Sequence, residues 1–204
     1  MKQEEKIKKI VKNLLRMSAG ISKLNGDEEL FLAKTDEDAR KSLEKYADAR
    51  LGYGVRGVAI KFVTKAITDE LKKLSDEELL AVTNIIGKEW AAVFSDELLG
   101  TKNKKHASVY NLAEILSESV VDRAFRSDKC EEVVKSMNSE ALDMITGYAG
   151  MVESAMKAVE GIEVIHVADL ESGDIKDIVT YRNVYSKYGI VLDEIEKARK
   201  QRSL

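Results

Sequence analysis

The sequence predicts an all-α fold, a compact multi-helix globular domain. Three observations predict it. Apolar residues recur at helical spacing through most of the chain, side-chain capping signals stand at the heads of several of those runs, and β-branched, partly alternating residues are confined to one stretch near the C-terminus.

The elements follow in order. With no proline in 204 residues, helix ends have to be marked by glycine, by caps and by changes of hydrophobic phase. Ile7, Ile10, Val11, Leu14 and Leu15 repeat at i, i+3, i+4, i+7 and i+8, on one face of a helix that Gly20 is expected to end. Thr35 with Asp38, and Ser75 with Glu78, have capping-box spacing. The first pair precedes Ala39, Leu43, Tyr46 and Ala47, and the second precedes Leu79, Val82, Ile86 and Val93. Between them, Val58, Phe62, Val63, Ala66, Ile67, Leu71 and Leu74 are read as one apolar stripe.

After Gly100 and the polar run Thr101 to His106, the helical period resumes at Val109, Leu112, Leu116, Val120 and Ala124. Asp128 with Glu131 heads a short helix through Val134, and Ser139 starts a longer one carrying Leu142, Ile145, Val152 and Val159. Beyond Gly161 the pattern changes, and a short β-hairpin is expected near residues 162–182, although Val179, Tyr181, Val184, Tyr185 and Tyr188 fit a helix about as well. A final helix is expected over Val191 to Lys200. The chain is read as one domain, 1–204, with 1–20 a basic amphipathic helix and 162–204 a distinct C-terminal subregion.

Charge is unevenly spread. The net charge is −3, yet residues 1–16 carry six basic and two acidic side chains, and residues 197–204 add Lys197, Arg199, Lys200 and Arg202. An acidic body with basic ends suits either self-complementary packing or an acidic partner. No apolar run approaches the ~20 residues of a membrane-spanning helix. The only cysteine is Cys130, and the chain opens on charged residues, so a cytoplasmic location is expected.

Catalytic chemistry is poorly represented. His106, His166 and Cys130 are the only imidazole and thiol groups, so no metal or other cofactor is expected and the reading leans away from an enzyme. Glu163 and His166 have the spacing of one di-iron ligand pair, but that site needs two. Gly52, Gly54 and Gly57 match the spacing of a dinucleotide-binding turn, but the preceding Lys41 to Arg50 reads as helix where such a turn needs a strand. A helix-to-helix turn is therefore expected, with glycine supplying positive φ and close packing.

Ser108 to Arg126 places Ala113, Leu116, Ser117 and Ser119 roughly where a helix-turn-helix has its small, apolar, turn and cap residues. Arg123 stands where that motif packs an apolar group and no glycine marks the turn, so one continuous amphipathic helix is expected. Trp90 is expected in the core beside Ile86, Val93 and Phe94.

The function expected by subtraction is a non-catalytic protein–protein interaction or assembly module, binding another protein or a second copy of itself. The candidate surface is basic: Lys9, Lys12 and Arg16 on the first helix, Arg56 after the glycines, and Lys102, Lys104 and Lys105 in the polar loop. The basic first helix and the lysine loop, together with the tail residues Lys197, Arg199, Lys200 and Arg202, carry the alternative of nucleic-acid binding. Arg56, or Arg123 further along, would serve a third reading, an enzyme acting on a phosphorylated ligand.

Overall fold

A computed structural model describes residues 3–126, 130–160 and 193–201. Helix α1 covers Gln3–Asn25, α2 Asp27–Phe31, α3 Asp36–Lys45, α4 Ala47–Arg50, α5 Gly54–Lys72, α6 Asp76–Leu98, α7 Lys105–Arg126, α8 Cys130–Lys135 and α9 Ser139–Glu160. A further helix, α10, covers 193–201. The fold is all-α, with no strand among the described residues. The stretch 162–182, expected as a hairpin, lies outside the described residues. Ser108 to Arg126 form one continuous helix as expected, because α7 is unbroken from Lys105 to Arg126.

Contacts gather the chain into two compact units, Met1–Ser119 and Val120–Leu204. In the first, α1 packs along α5 and α6. Its buried face is Ile7, Val11, Leu14, Ser18, Ile21 and Ser22, the predicted stripe prolonged by two serines. Those small residues admit α7 closely: the Ser18 hydroxyl donates to the Ser108 carbonyl at 2.7 Å, and the Asn111 amide donates to Ser22 Oγ and Asp27 Oδ2 at 2.9 Å each. The buried hydroxyls of Ser18 and Ser22 are thus paired, as burial demands.

Gly20 does not end α1. The helix continues to Asn25, and the reversal falls at Gly26, where φ is +73° and a Cβ would stand 2.1 Å from the Tyr46 ring. Gly20 has open space around its Cβ position, so its backbone entropy cost is uncompensated. We expect Gly20→Ala to stabilise the protein by about 0.5–1 kcal/mol, read as a raised urea midpoint.

The α6 cap follows the sequence expectation closely. The Ser75 hydroxyl accepts from the Glu78 amide, the Glu78 carboxylate accepts from the Ser75 amide, and Lys6 of α1 pairs with the same carboxylate. The Lys6 bond and then the Ser75 amide hold the Glu78 carboxyl below its ordinary pKa. Its folded pKa is thus the lower one, so its contribution is present above the ordinary carboxylate range and is lost as pH falls through the depressed value. Ser75→Ala should cost about 1 kcal/mol near neutrality. The stability gap between wild type and Glu78→Gln should close on acidification, as checked by denaturation at a series of pH values.

In the second unit, Val120, Val121 and Ala124 of α7, Val134 of α8, Leu142, Met144 and Ile145 of α9, and Ile195 and Ala198 of α10 are buried. Ser139 starts α9 as expected, and its cap is Asn138, whose side-chain oxygen accepts from the Ala141 amide at 2.8 Å. Arg199 of α10 pairs with Asp143 of α9.

Candidate interaction surface

The glycine-rich turn decides the fate of Arg56. Gly52 and Gly54 have φ of +72° and +66° between α4 and α5, as a helix-to-helix turn requires. Arg56, in the first turn of α5, donates to the Lys45 carbonyl at 3.0 Å, lies 3.5 Å from the Asp48 carboxylate and stacks over the Tyr46 ring at 5.0 Å. Its donors and its face tie α5 to the end of α3, which explains an arginine there without a ligand.

The loop lysines separate as well. Lys102 lies 5.9 Å from the centre of the Phe31 ring. Lys105 opens α7, with its amide bonded to the Asn103 side chain at 3.0 Å. Lys104 is exposed.

Lys9, Lys12 and Arg16 are all exposed and form one ridge on the face of α1 opposite its buried stripe. The acidic residue of this region that makes an i,i+4 pair is Glu4, with Lys8 at 2.6 Å. Among the described residues no carboxylate pairs with Lys9, Lys12 or Arg16.

Helix α5 carries the feature that the sequence reading missed. Its expected single stripe splits into two. Ile67 and Leu71 are buried, whereas Val55, Val58 and Phe62 are 86%, 49% and 70% exposed. At ~100° per residue, Val58 and Phe62 lie about 180° from Ile67 and Leu71. The helix is apolar front and back, a pattern suited to cover on both sides. Leu51 and Tyr53, just before it, are exposed too.

Towards its C-terminal end the outward stripe meets α1. A cleft of about 500 Å³ opens between the two helices. Ile10, Leu14 and Met17 of α1 line it with Ala66 of α5 and Leu74 just after α5, and Arg16, Asn13, Asp69, Glu70 and Lys73 supply its polar lining. Asp69 is paired with Lys65 at 2.6 Å and Glu70 with Lys73 at 2.5 Å. Ala66 lies one turn beyond Phe62, so the exposed stripe runs into the cleft.

Trp90 is a correction to the expected core. It is only half-buried and stacks at 5.6 Å on Phe94, itself 46% exposed, near the C-terminal end of α6. Truncating a partly exposed ring removes less buried area than the ~3–5 kcal/mol of a fully buried one implies. We expect Trp90→Ala to cost about 1–2 kcal/mol by denaturant unfolding.

A second group of chemically capable side chains joins α6 to α7. His106 Nε2 lies 3.5 Å from the Asp96 carboxylate, the Phe31 ring meets the imidazole edge-on at 5.4 Å, and Tyr110 donates its hydroxyl proton to Glu97. Burial first, and the Glu97 carboxylate after it, push the Tyr110 hydroxyl far above its ordinary pKa. His106 is 4% exposed, its ring packed in the interior. Cys130 is half-buried at the start of α8, and burial raises its thiol pKa, which disfavours the nucleophilic thiolate.

Among the described residues, no group of three or more His, Cys, Asp or Glu side chains is arranged to hold a metal ion. No helix among them is long and apolar enough to cross a membrane. Comparison with protein-family models, with curated proteins and with solved structures finds no match to this chain.

Proposed function

We propose that the protein is a helical interaction or assembly module, acting without catalysis, and that the outward face of α5 is where a protein partner or a second copy seats. One observation carries this reading. Val55, Val58 and Phe62 form an apolar stripe in solvent on the side of α5 opposite its buried residues. A large side chain such as Phe62 in water forgoes about 1.5–3 kcal/mol of transfer free energy that a partner surface would recover. A cytoplasmic setting fits a chain whose only cysteine is Cys130.

The test is a photo-reactive residue at position 62, introduced into the chain in the cell that makes it, with Glu37 of α3 as the control position. A discrete adduct at 62, homodimeric or mixed, and none at 37 is the expected result. Equal labelling at both positions, or none at either, would remove the basis for the proposal.

The nucleic-acid reading keeps one observation of its own, the unpaired ridge of Lys9, Lys12 and Arg16. Phosphate contact through it would weaken steeply with salt. The triple substitution Lys9→Glu, Lys12→Glu, Arg16→Glu should then abolish duplex DNA binding at low salt. Unchanged anisotropy of labelled DNA would end that reading.

A further inference from the structure

We infer that the α1–α5 cleft, with the apolar stripe leading into it, seats an acidic amphipathic helix from the partner. This rests on the interaction role proposed above and adds the chemistry of the occupant. Shape comes first. Val55, Val58, Phe62 and Ala66 follow helical spacing, and the line continues through the cleft to Lys73. That span of α5 is about 27 Å, the length of roughly five turns of a docked helix. The cleft floor, with Ile10, Leu14 and Met17 on one wall and Leu74 on the other, is a groove for apolar anchors at i, i+3, i+4 and i+7.

Charge then selects the partner. The two carboxylates in the cleft are already engaged, Asp69 by Lys65 and Glu70 by Lys73. Arg16 lines the cleft with no ion pair among the described residues, and Lys9 stands two turns earlier on the same side of α1. Across the stripe, Lys61 of α5 is exposed and also without an ion pair among the described residues. The unmet charge beside this apolar track is therefore positive on both sides, and its complement is a row of apolar residues flanked by Asp or Glu.

Other occupants fit less well. Antiparallel pairing of α5 with its own copy would set the Lys61 and Lys65 flank against the same flank, like charge on like. A bilayer surface cannot follow a recess between two helices, and Asp69 would be carried towards it. A phosphate backbone gains nothing from an apolar floor.

The probe is a fluorescently labelled designed peptide of about 18 residues, with leucine at i, i+3, i+4 and i+7 and glutamate on the flanks, beside a twin in which every glutamate is lysine. Anisotropy should show the acidic peptide binding at least about tenfold tighter than its twin, and more weakly as salt rises. Phe62→Glu and Arg16→Glu, each with an unchanged circular dichroism spectrum, should each weaken it by about tenfold. Both substituted side chains are exposed, so the fold should tolerate them. Equal binding of the twins, unaltered binding to both variants, or displacement of the peptide by phosphatidylserine vesicles or duplex DNA would overturn the inference. If the peptide fails while the position-62 adduct forms, the acidic class is wrong and the interaction role stands. Failure of both removes both.

Discussion

Leu116→Ala is expected to destabilise the protein by about 2–5 kcal/mol, the range for emptying a fully enclosed leucine site. The residue is 0% exposed on α7, with Leu112 and Ala113 equally enclosed one turn before it. Packing so dense leaves little room for neighbours to close on the cavity, which favours the upper half of that range. Phe62→Ala is the matched control. It removes a larger side chain, yet at 70% exposure it should change stability by no more than about 0.5 kcal/mol. Urea denaturation of the two variants settles the comparison, and a Leu116→Ala midpoint equal to the wild type would contradict the described core.

That pair shows what hydrophobic periodicity conveys. Leu112 and Leu116 recur at i and i+4 among polar neighbours, so α7 was legible from spacing. Phe62 and Ile67 also belong to a helical run, but spacing fixes only that both lie on a helix. When apolar residues occur on opposite sides of α5, tertiary packing chooses the inner face. Here it chose Gly57, Ile67 and Leu71. The signal was present in the half-turn of phase between Phe62 and Ile67, and the reading merged the two into one stripe. Trp90 failed for a different reason: its phase is that of the α6 core face, but it lies in the C-terminal part of that helix, where after Gly87 only Val93 is buried.

Capping chemistry was more informative. Ser75 with Glu78 and Thr35 with Asp38 act through neighbours three residues away, and both bonds are made as the spacing predicts. Gly20 misled because glycine is a stop signal only when the chain needs positive φ. That need arises at Gly26, where Tyr46, just after α3, closes over the backbone. The candidate surface was legible in part. The Lys9, Lys12 and Arg16 ridge follows from one helix and one phase, whereas the cleft that Arg16 lines is made by two helices whose facing residues are some fifty positions apart. Arg56 looked equally available in sequence, and only the fold brings Asp48, Tyr46 and the Lys45 carbonyl to it.

Gly57→Ala should destabilise the protein by about 1–3 kcal/mol, although helix propensity alone argues for the opposite sign. Gly57 lies within α5, and replacing an interior helical glycine by alanine ordinarily gains up to about 1 kcal/mol. The gain requires room for a methyl group, and there is none. A Cβ at position 57 would stand 2.4 Å from the carbonyl carbon and 2.7 Å from the oxygen of Gly52. Both are backbone atoms, so no side-chain rotation relieves the contact. The turn preceding α5 must shift, and with it the Asp48 and Tyr46 groups that engage Arg56. Overpacking of this kind costs about 1–3 kcal/mol, occasionally more, so the clash outweighs the propensity gain. Gly20→Ala, in open space on α1, is the control of opposite sign. A dinucleotide-binding role for the same turn would instead predict a stable Gly57→Ala protein that had lost nucleotide affinity. A urea midpoint for Gly57→Ala at or above the wild-type value would refute the close-packing account of this turn.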